Sequence, residues 1–484
     1  MRTSTRATTR DWCGLVFLLL PALLISMDIS VLFVAAPAIS AALDPSPTQW
    51  LWIMDVYTFV LAGLLLTMGS LGDRIGRKRL LLLGSALFGA ASLLIAAAPT
   101  AELLLVGRAL LGIGAATLAP STFSLVRSTF ADEGQRRTAI AAWTVAFSGG
   151  AAAGPILGGL LLEHFWWGSV FLINVPVMVL LLLAVPWLVR ESRDPSAARF
   201  DLPGAATSLL AVLALVFAAK HLVEHGPSPL ALVAGLLGAI ALAGFVRRQR
   251  RAAHPLIDLV LLRFPAFRAA LAGNVAVAFA ISGLGLLAFT FLQTVHGLSP
   301  LAAALWATPT FAGTFLGAAL AGALGGRVRP ALLLVGGLLV GAVGFGVVAA
   351  VEPRTPLVVL IGGYALLTAG VGVVGTIANA LVLETAPADR AGAAAGLSET
   401  STELGSALGI ATFGTLAAAV YRTGAEGVPG GTIAEAVADL APDSAALAVA
   451  FDAYTEAVGA AALLGAAVLV VVAVITGFGL RAGR

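Results

Sequence analysis

Apolar runs about 20 residues long recur from one end of the chain to the other, and nothing else in the sequence narrows its fold so far. Segments of this length cross a bilayer as α-helices, because in hydrocarbon every backbone polar group must find its partner inside the segment. The runs fall at 14–40, 50–71, 79–98, 101–126, 138–162, 166–188, 203–223, 229–246, 267–294, 299–324, 329–350, 355–383, 391–420 and 451–480. Fourteen transmembrane helices are expected, in an all-α polytopic protein whose main partner is the lipid bilayer. Composition agrees: 59% of the 484 residues are hydrophobic and 11% charged, and mean hydropathy is +1.00, too little charge to solvate a chain this long.

The span count can be tested against charge, since Lys and Arg gather in cytoplasmic loops near span ends. With the N-terminus inside, alternate loops hold all but four of the 28 cations: Arg354 and Arg422 lie outside, and Arg108 and Lys220 within or beside spans. An even count puts both termini on the cytoplasmic side. The formal charge of +3 is spread over many loops and gathers on no single face, so no nucleic-acid partner is expected. Cys13 is alone, which excludes an intramolecular disulfide and a Cys-based metal site. Arg2, Arg6 and Arg10 before an apolar run imitate a signal peptide, but no small-residue cleavage site follows and Asp28 interrupts the run, so this reads as an uncleaved first span.

Between the second and third spans lies Gly69-Ser-Leu-Gly-Asp-Arg-Ile-Gly-Arg-Lys-Arg79. A loop this short and charged holds two adjacent spans together at the membrane surface. Gly76 permits a tight turn, and Asp73 can accept hydrogen bonds from a nearby Arg or from helix N-terminal amides. Positive-inside anchoring accounts for Arg77, Lys78 and Arg79 but gives no reason for Asp73. The outline returns at Gly322-Ala-Leu-Gly-Gly-Arg-Val-Arg-Pro, between spans ten and eleven, with Gly326 where Asp73 stood. Spans 1–6 then correspond to spans 9–14. The expected organisation is a six-helix bundle at 1–195, two inserted helices at 196–262 and a second six-helix bundle at 263–484.

With these motifs the chain resembles the major facilitator superfamily, and within it the 14-helix drug:proton antiporter branch, over nearly its whole length. Gly69, Asp73, Arg74, Gly76, Arg77 and Lys78 match the family's loop between spans 2 and 3; Arg108, Gly112 and Gly114 match its span-four motif. Gly150-Ala-Ala-Ala-Gly-Pro-Ile-Leu-Gly-Gly159 is similar to the span-five signature of antiporters, and Trp167-Gly-Ser-Val-Phe-Leu-Ile-Asn-Val-Pro176 to the start of span six in this branch. The resemblance implies a conformational latch at Gly69, Asp73, Arg74, Gly76 and Arg77. It also implies that Gly150, Gly154, Pro155, Gly158 and Gly159 seal one end of a cavity. On the residues alone, those glycines let another helix approach span five closely, and Pro155 kinks it.

Acids inside spans carry the expected chemistry, because a carboxylate in hydrocarbon costs several kcal/mol unless paired, protonated or facing water. Asp28 lies mid-span one and Asp55 inside span two, while Glu399 and Glu403 are one turn apart on span thirteen. Proton and lipophilic cation can compete for such groups, which is antiport; all four positions match acidic positions of the family implicated in binding. Arg108, deep in span four near the depth of Asp55, needs a carboxylate partner and either forms a static pair or biases the access equilibrium. Phe33 and Tyr57 are candidate cavity aromatics for cation–π contact, with packing as the competing role. Trp50, Trp52, Trp166 and Trp167 sit at outer span ends, as an interfacial belt requires. His164, His221, His225, His254 and His296 lie in loops or at span ends, a poor position for a deep proton carrier. The outer loop with Glu426, Glu435, Asp439 and Asp443 against Arg422 reads as solvated.

No phosphate-binding loop, metal cluster or nucleophilic triad appears, so an enzyme is not expected. The expected function is proton-coupled export of small lipophilic cationic drugs, dyes or quaternary ammonium compounds by alternating access, with no cofactor beyond the proton gradient. A monomer in the bacterial cytoplasmic membrane is expected. Export of an endogenous metabolite, antibiotic or lipid by the same machinery is the alternative.

Overall fold

The computed structural model describes residues 7–193, 201–251, 261–385, 391–429, 431–442 and 444–482, and every element among them is helical. Arg2, Arg6, His254 and Asp443 lie outside the described residues. In chain order the helices are α1 Thr9–Leu43, α2 Pro47–Ile75, α3 Arg77–Ala96, α4 Ala101–Thr129, α5 Glu133–His164, α6 Ser169–Leu172, α7 Asn174–Leu188, α8 Leu202–His225 and α9 Pro229–Arg251. After a 3-10 turn at Leu261–Arg263 follow α10 Pro265–Thr294, α11 Pro300–Trp306, α12 Thr308–Leu324, α13 Pro330–Ala349, α14 Leu357–Thr385, α15 Ala391–Gly424, α16 Ile433–Asp439 and α17 Ala445–Ala482.

Local chemistry sets the helix ends. Thr8 caps α1 through a reciprocal capping box with Asp11, and Thr100, Asp132, Ser299 and Thr432 cap α4, α5, α11 and α16 by accepting an amide hydrogen bond three residues on. Pro300 and Pro330 open α11 and α13, where their missing N–H costs nothing.

Among the described residues twelve helices are long and apolar enough to cross a membrane, or thirteen when the bent pair Gln49–Leu65 and Thr67–Ile75 is counted as one span. The segment expected as a span at 203–223 lies in α8, whose apolar stretch is Ala206–Ala218. The 53° bend in α2 was not visible in the sequence, because no proline marks it. At the bend the Thr67 hydroxyl donates to the Leu64 carbonyl, a side-chain bond that competes with the helix ladder.

The chain divides into two compact units, Met1–Pro45 with Trp52–Leu209, and Ser46–Leu51 with Leu210–Arg484. In the first unit α1 packs on α4, α5 and α7, and α3 packs on α4 and α7. In the second, α10 packs on α14, α15 and α17, and α13 packs on α14 and α17. Under the correspondence of spans 1–6 with 9–14, these are the same pairs. The likeness extends to how the closest pairs are made. A Cβ on Gly150, Gly154 or Gly158 of α5 would run into Leu23 O, Ser30 Oγ or Val31 of α1; one on Gly405 or Gly409 of α15 would run into the carbonyl oxygens of Val275 or Phe279 of α10. Small residues four apart thus let two helices of each unit approach to backbone contact. The second stripe, Gly405 and Gly409, escaped the sequence reading, although its spacing equals that of Gly150 and Gly154.

Candidate functional site

In the first unit, Arg108 of α4 is the buried cation and Asp28 of α1 is its partner, with Nη1 donating to Oδ2 at 2.7 Å and both side chains almost fully withdrawn from solvent. The guanidinium also donates from Nε to the Ile53 carbonyl of α2 at 3.2 Å, and its Cζ stands 4.6 Å from the centre of the Tyr57 ring. One cation thereby ties α1, α2 and α4 together. The second Asp28 oxygen, Oδ1, has no hydrogen bond among the described residues, although the Asn174 carboxamide of α7 lies close enough to act on the Asp28 charge. Asn174 also donates to Ser92 Oγ of α3 at 3.2 Å, extending the polar layer across the unit. Asp55 is fully buried two residues beyond the carbonyl that Arg108 holds. Sequence depth alone left Asp28 and Asp55 as equal partners for Arg108; the direct bond goes to Asp28.

Both candidate cavity aromatics are packed against the protein. Tyr57 is fully buried, its hydroxyl directed at Ile25 O (3.5 Å), and the cation on its ring is the protein's own Arg108. Phe33 is buried as well, at 8% exposure. Around Tyr57, α1, α2 and α4 converge on the ion pair.

In the second unit Glu399 and Glu403 lie one turn apart on α15, Glu399 half-buried and Glu403 buried, close enough for each charge to act on the other. Glu403 Oε2 has no hydrogen bond, and neither acid forms a salt bridge among the described residues. Beside Glu399, Ser398 Oγ receives Asn274 Nδ2 of α10 at 2.9 Å and lies 3.5 Å from Asn379 Oδ1 of α14. The two units thus hold acids in opposite conditions: Asp28 is neutralised from within, while Glu399 and Glu403 stand among the hydroxyl side chains of α15 with no salt bridge among the described residues.

The charged loop has its own geometry. Asp73 Oδ1 accepts Arg77 Nε at 2.8 Å and also Arg77 Nη2, and Arg77 Nη1 reaches the Pro120 carbonyl of α4 at 3.4 Å. Arg74 is exposed, and Gly69 faces Pro120. Gly76 has φ 111°, in the region that favours glycine, and is the N-cap of α3 with no side chain to cap it. A residue that the sequence reading missed does so instead: Glu191, beyond α7, accepts Lys78 N at 2.8 Å and Arg79 N at 3.3 Å, while Ser192 O accepts Arg77 N at 2.9 Å. The first three amides of α3 are all satisfied from residues 191–192. The only sequence signal was one acid inside the basic run Arg190-Glu-Ser-Arg193. A Cβ at Gly76 would meet the Glu191 carboxylate at 2.6–2.8 Å. Glu191→Ala is expected to cost about 1 kcal/mol, the usual worth of an N-cap, and Gly76→Ala more, since it strains φ and displaces the carboxylate. Thermal melting of the purified protein checks the order, and a neutral Gly76→Ala would contradict it. In the second copy α12 ends at Leu324 and α13 starts at Pro330, with no side-chain cap on α13 among the described residues, and a Cβ on Gly326 meets nothing within 4 Å.

Long apolar helices in two units that repeat one packing scheme, with carboxylates buried inside them, define a multi-pass membrane transporter. The chain belongs to the Major Facilitator Superfamily, which matches residues 18–410. It is 42% identical over 438 residues to the multidrug efflux pump LfrA of Mycolicibacterium smegmatis, covering 90% of this chain and 86% of that protein. It is 37% identical over 411 residues to the methyl viologen resistance protein SmvA of Salmonella typhimurium, covering 84% and 82%. In fold it is similar to a bacterial homolog of the human lysosomal transporter Spinster, with a TM-score of 0.70 at 19% identity and 98% of each chain covered. The protein is a transporter, not an enzyme.

Proposed function

We propose that this transporter exports lipophilic cationic compounds from the bacterial cytoplasm in exchange for protons, by alternating access. It works as a monomer with fourteen spans in the cytoplasmic membrane, both termini inside and no cofactor beyond the proton gradient. The observation that carries this reading is the state of Glu399 and Glu403, acids inside a membrane helix with no salt bridge among the described residues. A carboxylate so placed is stabilised by whatever positive charge arrives, a proton or a cationic guest, and occupation by one opposes the other. That competition is the coupling. In the first unit Asp28, Arg108 and Asp55 form the part that responds to protonation, since a proton on Asp28 weakens its hold on Arg108. Asp73, Arg77, Gly69, Gly76 and Arg74 act as the latch, and the similarity to a multidrug efflux pump and to a methyl viologen resistance protein supports drug efflux.

The test is an energised everted-vesicle assay, in which an exported cation collapses the pH gradient. Cations should collapse it and neutral compounds should not. Glu403→Gln, which keeps the shape and removes the charge, is expected to lower coupled export at least tenfold. Collapse by neutral compounds only, or by nothing in the cationic set, would move the function to the export of a metabolite, antibiotic or lipid.

A further inference from the structure

An aromatic group that the carboxylate chemistry does not use stands on α4 and α5. Trp143 and Phe147, one turn apart on α5, are stacked with ring centres 5.6 Å apart and planes 15° apart. Phe123 of α4 meets Trp143 edge-on at 5.2 Å. Trp143 Nε1 donates to Thr122 Oγ1 at 3.3 Å, which fixes the indole plane. All three rings are part-exposed, unlike Tyr57.

The surface around these rings differs from the unit's other exposed surfaces. Beyond Arg79, the exposed residues of α3 are Leu83, Ala86, Ala90 and Leu93, and those of α7 include Val179, Leu180, Leu183 and Trp187, all apolar as lipid requires. On α5 the exposed residues next to the rings are Ala141, Thr144, Val145 and Ser148, so hydroxyls alternate with apolar side chains there. The rings thus stand on a mixed surface, with two hydroxyl side chains at the depth of a span, where α3 and α7 expose none.

Its position relative to the ion pair follows from one bond. Ser26 Oγ donates to the Phe147 carbonyl, and Ser26 precedes Asp28 by two residues, about 3 Å along α1. Trp143 lies a further turn, about 6 Å, toward the end of the unit where Arg127 and Arg136 stand. A guest travelling from that end meets the rings before it reaches the depth of Asp28.

We propose that Phe123, Trp143 and Phe147 form a binding shelf for planar aromatic cations on the cation-rich side of Asp28. The inference rests on the export reading above and adds a ligand class to it. A flat, delocalised cation can lie on the part-exposed indole, gaining stacking and cation–π attraction while shedding little hydration. An acyclic cation of equal charge gains the second and not the first. The shelf therefore selects ring-bearing guests, while acids elsewhere sense only their charge.

The test uses the purified full chain in lipid nanodiscs, with methyl viologen as the flat dication and decamethonium as the acyclic one, both titrated calorimetrically. Trp143→Leu and Phe147→Leu keep apolar bulk against α4, and Trp143→Phe keeps a ring but removes the Nε1 donor. The expected result is a 5- to 10-fold rise in the methyl viologen Kd for either leucine variant, a change of less than twofold for decamethonium, and a small effect of Trp143→Phe. Bound methyl viologen should also quench tryptophan fluorescence in the wild type and quench it less in Trp143→Leu. Parallel weakening of both ligands, or an unmoved methyl viologen Kd in variants that melt like the wild type, would overturn the shelf alone. Wild-type protein that binds neither dication would overturn the export reading and the shelf together.

Discussion

Arg108→Gln will destabilise the protein by about 3–5 kcal/mol and abolish transport, the largest effect expected of any single polar change in the first unit. Arg108 is 1% exposed and contacts Asp28, the Ile53 carbonyl and the face of Tyr57. Removing it leaves a buried carboxylate with no cation and takes the side-chain donor from a helical carbonyl, and the first loss carries a desolvation cost that water cannot relieve at this depth. A buried ion pair is a poor source of net stability, because both charges left water to form it. The damage should therefore be largely reversible by removing the second charge. Asp28→Asn with Arg108→Gln is expected to melt closer to the wild type than Arg108→Gln alone, with an interaction energy of a few kcal/mol in the double-mutant cycle. Transport should stay absent in the double variant, since nothing is left for a proton to release. A double variant that recovers proton-coupled export would reduce the pair to a structural tie, and additive destabilisation would mean that the two groups do not depend on each other.

The features legible in the sequence are those that the bilayer itself dictates. Hydrocarbon demands long apolar runs and short charged turns, so the helices were visible before any coordinates, as was the need of Arg108 for an acid. The identity of that acid was not, because depth along a span is one coordinate and the rotation of three helices about their axes decides which carboxylate the guanidinium meets. Tyr57 shows the same limit from the other side: its distance along α2 suits a cavity residue, but its azimuth puts Arg108 on its face. Glu191 was invisible for a different reason. It caps α3 from more than a hundred residues away, and capping across the chain leaves no local spacing to read. The bend in α2 falls between these cases, since a lone Thr67 in an apolar helix is too common to announce one.

Gly154→Leu is expected to leave almost no folded transporter in the membrane, and Gly409→Leu to do the same through the second unit. At Gly154 the added Cβ would stand 2.9 Å from the Met27 carbonyl oxygen and closer still to Ser30 Oγ; at Gly409 it would stand 2.8 Å from two backbone carbons of Phe279 and nearer to its oxygen. Backbone atoms inside a helix cannot rotate aside as a side chain can, so relief must come from separating α5 from α1, or α15 from α10. That separation gives up dispersion contacts along the whole seam, and in a membrane no hydrophobic effect between helices offsets the loss. Overpacking of a side chain usually costs about 1–3 kcal/mol, and overpacking of backbone should exceed it. Alanine variants grade the effect. Gly149→Ala meets nothing within 4 Å and should be silent, Gly158→Ala presses on the side chain of Val31 and should cost part, and Gly154→Ala and Gly409→Ala should cost most. Yield of monodisperse protein and melting temperature give the order directly. If Gly154→Ala melts like Gly149→Ala yet loses the proton-driven response in vesicles, close helix approach is not what the stripe supplies, and its glycines act in coupling instead.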